Sequence, residues 1–154
     1  MAIDPRLGQV TRVTALRRDK AEREMAQSAS VHQAREEALE TARKAEMRQL
    51  EMLAAARETF RANPGCAQAQ LWQQIAKERR EEARGEVAER ASMRDLSEED
   101  LARARAQFQR ANERHRLSED AVRVAKIQHR RALEEKEADE MQGATRPMGN
   151  GLLK

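Results

Sequence analysis

Aromatic side chains are nearly absent from this chain of 154 residues: there is no tyrosine, one tryptophan and two phenylalanines. With a mean hydropathy of −0.96, so little bulky apolar material excludes a packed globular core and leaves only narrow seams to bury. One cysteine excludes an internal disulfide, which fits a reducing compartment. No long apolar run occurs; the longest, Met52 to Ala56, is too short to span a bilayer. The first twenty residues carry Arg6, Arg12, Arg17, Arg18 and Lys20 and no h-region, so a cytoplasmic protein without direct membrane insertion is expected. Proline falls only at Pro5, Pro64 and Pro147, so two long stretches have nothing to stop a helix.

What fills the chain is Ala, Arg, Glu, Lys and Gln, the strongest helix formers, and 37% of residues are charged. Asp4-Pro5 is a helix start, with Asp able to cap and Pro pre-set for the first helical position. Helix is predicted from about 5 to 62, with apolar residues recurring loosely through Val10, Val13, Leu16, Met25, Leu39, Ala42, Leu50, Leu53 and Phe60. Asn63-Pro64-Gly65 ends it, because Pro disfavours helix before it and Gly permits a left-handed turn.

A second helix is predicted from about 67 to 142. Its later half carries a sharper pattern: Leu101, Ala104, Phe108, Ala111, His115, Ser118, Val122, Ala125, His129 and Ala132 follow strict 3-4 alternation without a charge. Leu117, Val124 and Ile127 lie beside that stripe and are expected to widen the buried face. Gly85 and the span Ser92 to Ser97 could kink the helix, but Leu-Ser-Glu recurs at 96 and 117, three heptads apart, and the kept phase favours continuity. Residues 143–154, rich in Gly, are expected to form a flexible tail.

The fold class expected is therefore all-α: two long helices folded back as an antiparallel coiled-coil hairpin, turn at 63–66, residue i facing roughly residue 129 − i. Val10 then lies near Glu119 and Leu39 near Arg90.

Catalysis finds no support in this pattern. Cys66 would need a nearby base, yet His32 and His115 lie many turns away along the helices. No two histidines among His32, His115 and His129 have the i, i+3 or i, i+4 spacing of helical metal ligands. The carboxylates Glu98-Glu99-Asp100 and Glu134 to Glu140 read as solvated faces, and no phosphate loop or nucleophile elbow occurs. No enzyme, cofactor, metal or small-molecule substrate is expected. Trp72, one turn past the break, either closes the hairpin tip or offers it to a partner.

Charge placement is more informative. Residues 101–131 hold nine bases against three acids, and 5–20 hold five against one. The hairpin brings these together in an open end where Arg6, Arg12, Arg17 and Arg18 meet Arg123, Lys126, Arg130 and Arg131. Such an end calls for an acidic partner. Nucleic acid is disfavoured because stacking aromatics are missing there, and a protein partner is preferred.

The chain resembles the central stalk proteins of type III secretion, the YscO/SctO proteins of injectisomes and FliJ of flagella. The likeness lies in length, a basic N-terminal helix, a mid-chain break followed by Trp-Gln-Gln-Ile at 72–75, and a second helix running to Glu-Lys-Glu-Ala-Asp-Glu-Met at 135–141 before a short tail. It covers about residues 5 to 148. It implies a non-enzymatic rod, peripheral to a membrane-embedded apparatus, whose paired terminal helices enter the hexameric secretion ATPase, link it to the export gate protein and handle secretion chaperones. No short motif matches one that would carry gate-binding residues over. Two rival readings stand beside it: a dimeric structural coiled-coil scaffold, and a nucleic-acid-binding rod.

Overall fold

In the computed structural model the described residues are 4–144, with side chains described to Met141. Two α-helices account for nearly all of them: α1, Pro5–Ala62, and α2, Ala67–Ala144. There is no strand among the described residues. Helix α1 starts as its sequence dictates: the Asp4 carboxylate accepts from the Arg6 backbone N–H at 2.9 Å and the Asp4 carbonyl from Leu7 N–H at 3.1 Å. At its other end the Asn63 N–H is shared between the Thr59 and Phe60 carbonyls. The Cys66 N–H then donates to the Asn63 carbonyl at 3.1 Å across Pro64-Gly65, and the Cys66 carbonyl accepts the first bond of α2 from Gln70.

Helix α2 is unbroken through Gly85 and the span 92–97. Ser97 does not cap a new helix; its hydroxyl donates to the Arg94 carbonyl at 2.7 Å within α2. The helix continues to Ala144, two residues into the segment expected to be tail, and the remainder of that segment, 145–154, lies outside the described residues.

Burial along α2 keeps a 3-4 alternation from Ala76 to His129, and each residue expected in the stripe from Leu101 to His129 is buried or half-buried; Ala132 is exposed. Leu117, Val124 and Ile127 are not part of the buried face: they are 62%, 51% and 47% exposed. Each sits two places past a seam residue, His115, Val122 or Ala125, on the outward side of the helix, where no other element of the described residues covers it.

Helix α1 shows the same alternation, which includes Met25, Leu39, Ala42, Leu53 and Phe60 of the apolar series but also residues that series did not mark. Leu7, Thr11, Thr14, Arg18, Ala21 and Met25 begin it, and Leu39, Ala42, Leu53, Ala56 and Phe60 continue it. Val10, Val13 and Leu16 face out instead, Val10 at 50% and Val13 at 45% exposure.

The chain divides into two compact units. In the second, residues 22–107, Leu53, Ala56 and Ala76 form an apolar cluster with Trp72 packed against it, and His32 Nδ1 lies 3.0 Å from Ser97 Oγ. In the first, residues 1–21 with 108–154, Thr14 Oγ1 meets His115 Nδ1 at 3.2 Å and Ser118 Oγ at 2.9 Å. Each pair His32/Ser97 and Thr14/His115 has indices adding to 129.

Candidate functional site

Cys66 is exposed and free at the start of α2. It shares a shallow pocket with Thr59, Asn63, Gln68, Ala69 and Trp72, none of which can act as a general base toward a thiol. Trp72 is half-buried, its ring resting on the Leu53, Ala56 and Ala76 cluster and its remaining surface lining that pocket.

The three histidines occupy seam positions, each half-buried or buried. His32 and His115 are built alike. Ser97 gives its proton to the Arg94 carbonyl, so its oxygen accepts from His32 Nδ1–H; His32 Nε2 faces Glu36 at 3.4 Å. In the first unit Ser118 donates to the His115 carbonyl at 2.6 Å, and the Thr14 hydroxyl sits between Ser118 and His115 Nδ1, while His115 Nε2 faces Glu119 at 3.4 Å. The rings of His32 and His115 are held by hydroxyls of the seam and by exposed carboxylates beside it, whereas His129 keeps a buried Nδ1 with no partner among the described residues. No group of three metal-ligating side chains stands together among the described residues.

Charged residues also enter the seam, which the pattern of apolar residues does not betray. Arg80 and Arg94 are half-buried, reach out to Glu81 and to Asp95 and Glu98, and keep a buried Nε with no partner. The signal that could have found them is phase: extending the Leu101 to His129 alternation backwards lands on Arg94, Arg90 and Arg80.

Elsewhere charges form solvated pairs one turn apart, such as Asp100 with Arg103, and Asp120 with Arg123. The Lys44 ammonium, hydrogen-bonded to Glu40 at 2.7 Å, holds that carboxyl below its ordinary value of 4.5. This pair lies on open surface and marks no site.

The basic residues remain. Arg6, Arg12, Arg17, Arg123, Lys126, Arg130 and Arg131 are exposed and fall in the first unit; Arg18 is half-buried at a seam position and its guanidinium pairs with Asp19 at 2.7 Å. Arg123, Lys126, Arg130 and Arg131 line one shallow depression with Ile127 and Glu134. Of the expected seam set, Leu101 is buried, and Phe108, Ala111, Val122 and Ala125 are half-buried. No helix among the described residues is long and apolar enough to cross a membrane. In comparison with known proteins, the chain matches no protein-family model, no curated protein and no solved structure.

Proposed function

We propose that this chain is a non-enzymatic coupling rod: an antiparallel coiled-coil hairpin whose paired terminal segments engage the hexameric ATPase of a type III secretion apparatus and connect it to the export gate, with chaperone binding as a further role. The antiparallel pairing is supported by contacts of the second unit. From His32 to Leu53 the index rises by 21, while from Ser97 to Ala76 it falls by 21, as two helices running in opposite directions require.

The observation that carries the functional reading is the basic, open surface of the unit built from the two ends of the chain, with Arg6, Arg12 and Arg17 on α1 and Arg123, Lys126, Arg130 and Arg131 on α2. Exposed single-sign charge of this kind steers association with an acidic protein surface and weakens with salt. The family identity rests on the resemblance in length, helix order and the Trp72 to Ile75 stretch.

The test mixes the purified chain with a hexameric secretion ATPase and follows hydrolysis and ring assembly. Stimulation is expected, and the combined variant Arg123→Glu, Lys126→Glu, Arg130→Glu and Arg131→Glu should abolish it. No effect of the unmodified chain on either readout would overturn the stalk reading. Sedimentation supplies the architectural check: a monomer of high frictional ratio fits the hairpin, whereas a mass of two chains favours a dimeric scaffold.

A further inference from the structure

Five outward positions of α1 in the first unit, Arg6, Val10, Val13, Arg17 and Lys20, follow the same 3-4 alternation as the seam but are displaced to one flank of it. On α2 the corresponding flank carries Arg110, Arg114, Leu117, Val124 and Arg131, with Ala121 between the two apolar residues. When two paired helices run in opposite directions, the flank preceding one seam line on the first helix lies on the same side as the like flank of the second. The two sets therefore share one side of the unit, an inference that rests on the antiparallel reading above.

That side has an unusual composition. Its centre is apolar: Val10, Val13, Leu117 and Val124 are all 45% exposed or more, and no other described part of the unit covers them. Its remaining positions are basic except Gln128, and in this register Arg17 and Arg114 fall opposite one another across the groove. The acids of the same segments lie elsewhere. Asp19 and Glu119 are on the other flank, Glu113 and Asp120 are on the outer ridge of α2, and Asp120 is paired with Arg123 at 3.0 Å. Two like-charged arginines facing each other at the end of an apolar strip cost free energy in the isolated chain, which an acidic occupant would relieve.

We infer that this groove is a docking site for an acidic amphipathic α-helix of a partner protein, laid along the groove as a third helix. Its apolar face, with residues at i, i+3 or i+4 and i+7, covers Val10, Val13, Leu117 and Val124, and Asp and Glu toward its two ends meet Arg17 and Arg114 at one end and Arg6 and Arg131 at the other. A helix suits the groove better than a lipid surface, because the apolar strip is short, bounded at one end by Arg17, Lys20, Arg110 and Arg114 and at the other by Arg6 and Arg131, and carries no aromatic anchor, whereas interfacial helices expose a broad apolar face with aromatics.

The probe is a fluorescein-labelled 21-residue peptide with leucine on one helical face and glutamate on both flanks; its twin carries lysine in place of glutamate. Fluorescence anisotropy with the full chain should show binding of the acidic peptide that weakens as salt rises, with the lysine twin at least about tenfold weaker. Val10→Asp with Val124→Asp, and separately Arg17→Glu with Arg114→Glu, should each reduce affinity by about tenfold or more. Helicity by circular dichroism and the sedimentation mass should stay unchanged, since all four residues are exposed. The proposal is overturned if the two peptides bind equally, if either variant binds like the unmodified chain, or if phosphatidylglycerol vesicles bind the chain while the acidic peptide does not. Stimulation of the ATPase is scored separately: a chain that stimulates but ignores the peptide loses the groove and keeps the stalk reading, and the converse loses only the stalk reading.

Discussion

Substituting Ser97→Ala tests the polar layer in the second unit most directly. Ser97 is 6% exposed, and its hydroxyl does two things: it donates to the Arg94 carbonyl at 2.7 Å and accepts from His32 Nδ1 at 3.0 Å. The first bond duplicates what the Arg94 carbonyl already has within the helix, so its loss is minor. The second is the one partner of a half-buried ring nitrogen among the described residues, and an unsatisfied donor in that position costs about 1–3 kcal/mol. Glu36, at 3.4 Å from Nε2 and half exposed, contributes little that would change the sum. For a chain of this size that loss lowers Tm by roughly 2 to 12 °C. Replacing both partners, His32→Leu with Ser97→Ala, removes donor and acceptor together and places an aliphatic side chain in the seam. The double variant should be more stable than Ser97→Ala alone and equal to or above the unmodified chain. Thermal and urea unfolding by circular dichroism at 222 nm decide it. A Ser97→Ala chain indistinguishable from the unmodified one, or a double variant less stable than both singles, would refute the hydrogen-bond assignment.

Further expectations follow from the same geometry. Leu101→Ala, at a buried seam position, should cost about 2–5 kcal/mol, whereas Leu117→Ala, which nothing covers, should stay within about 0.5 kcal/mol; urea titrations of the pair measure the contrast. Gly85→Ala should raise stability by about 0.5–1 kcal/mol, because a Cβ there meets nothing within 4 Å and the backbone is already helical; a loss of stability would mean that α2 is not continuous there. Lys44→Met should let the Glu40 carboxyl titrate closer to 4.5 in a carbon-detected NMR titration. Since the folded value is depressed, the contribution of this pair is present above about pH 4.5 and is lost as pH falls through the lowered value. An unmoved titration would contradict the assignment to Lys44.

Much of the architecture is legible in the residues themselves. Both helix boundaries at the turn follow from Asn63-Pro64-Gly65, and the start of α1 from Asp4-Pro5. The seam of α2 from Leu101 to His129 is legible because no charge interrupts it. The seam of α1 is legible only in part, at Met25, Leu39, Ala42, Leu53 and Phe60, because half of it is Thr, Ser, Arg, His, Glu and Gln, while Val10, Val13 and Leu16 sit outward. Apolarity locates a seam only where the seam is the most apolar line on the helix. In α1 the outward flank competes with it, and burial follows the 3-4 alternation rather than the most apolar line. Leu117, Val124 and Ile127 mislead for the same reason, and the misreading is itself informative: apolar residues spared from the seam are what make the outward groove. The arginines Arg80 and Arg94 were hidden because a long stem can lie in a seam while its guanidinium leaves it for Glu81, Asp95 and Glu98.

Among the described residues no large side chain is fully buried, and the side chain with no exposed surface is that of Ala56. The consequence concerns time rather than structure. Without a bulky anchor, no single layer of the seam holds a free energy large enough to make opening all-or-none, so amide hydrogens should exchange with protection that varies layer by layer. The slowest amides should lie around Leu53, Ala56 and Ala76, and those beside the His32 and Arg94 layer should exchange sooner although they belong to the same uninterrupted helices.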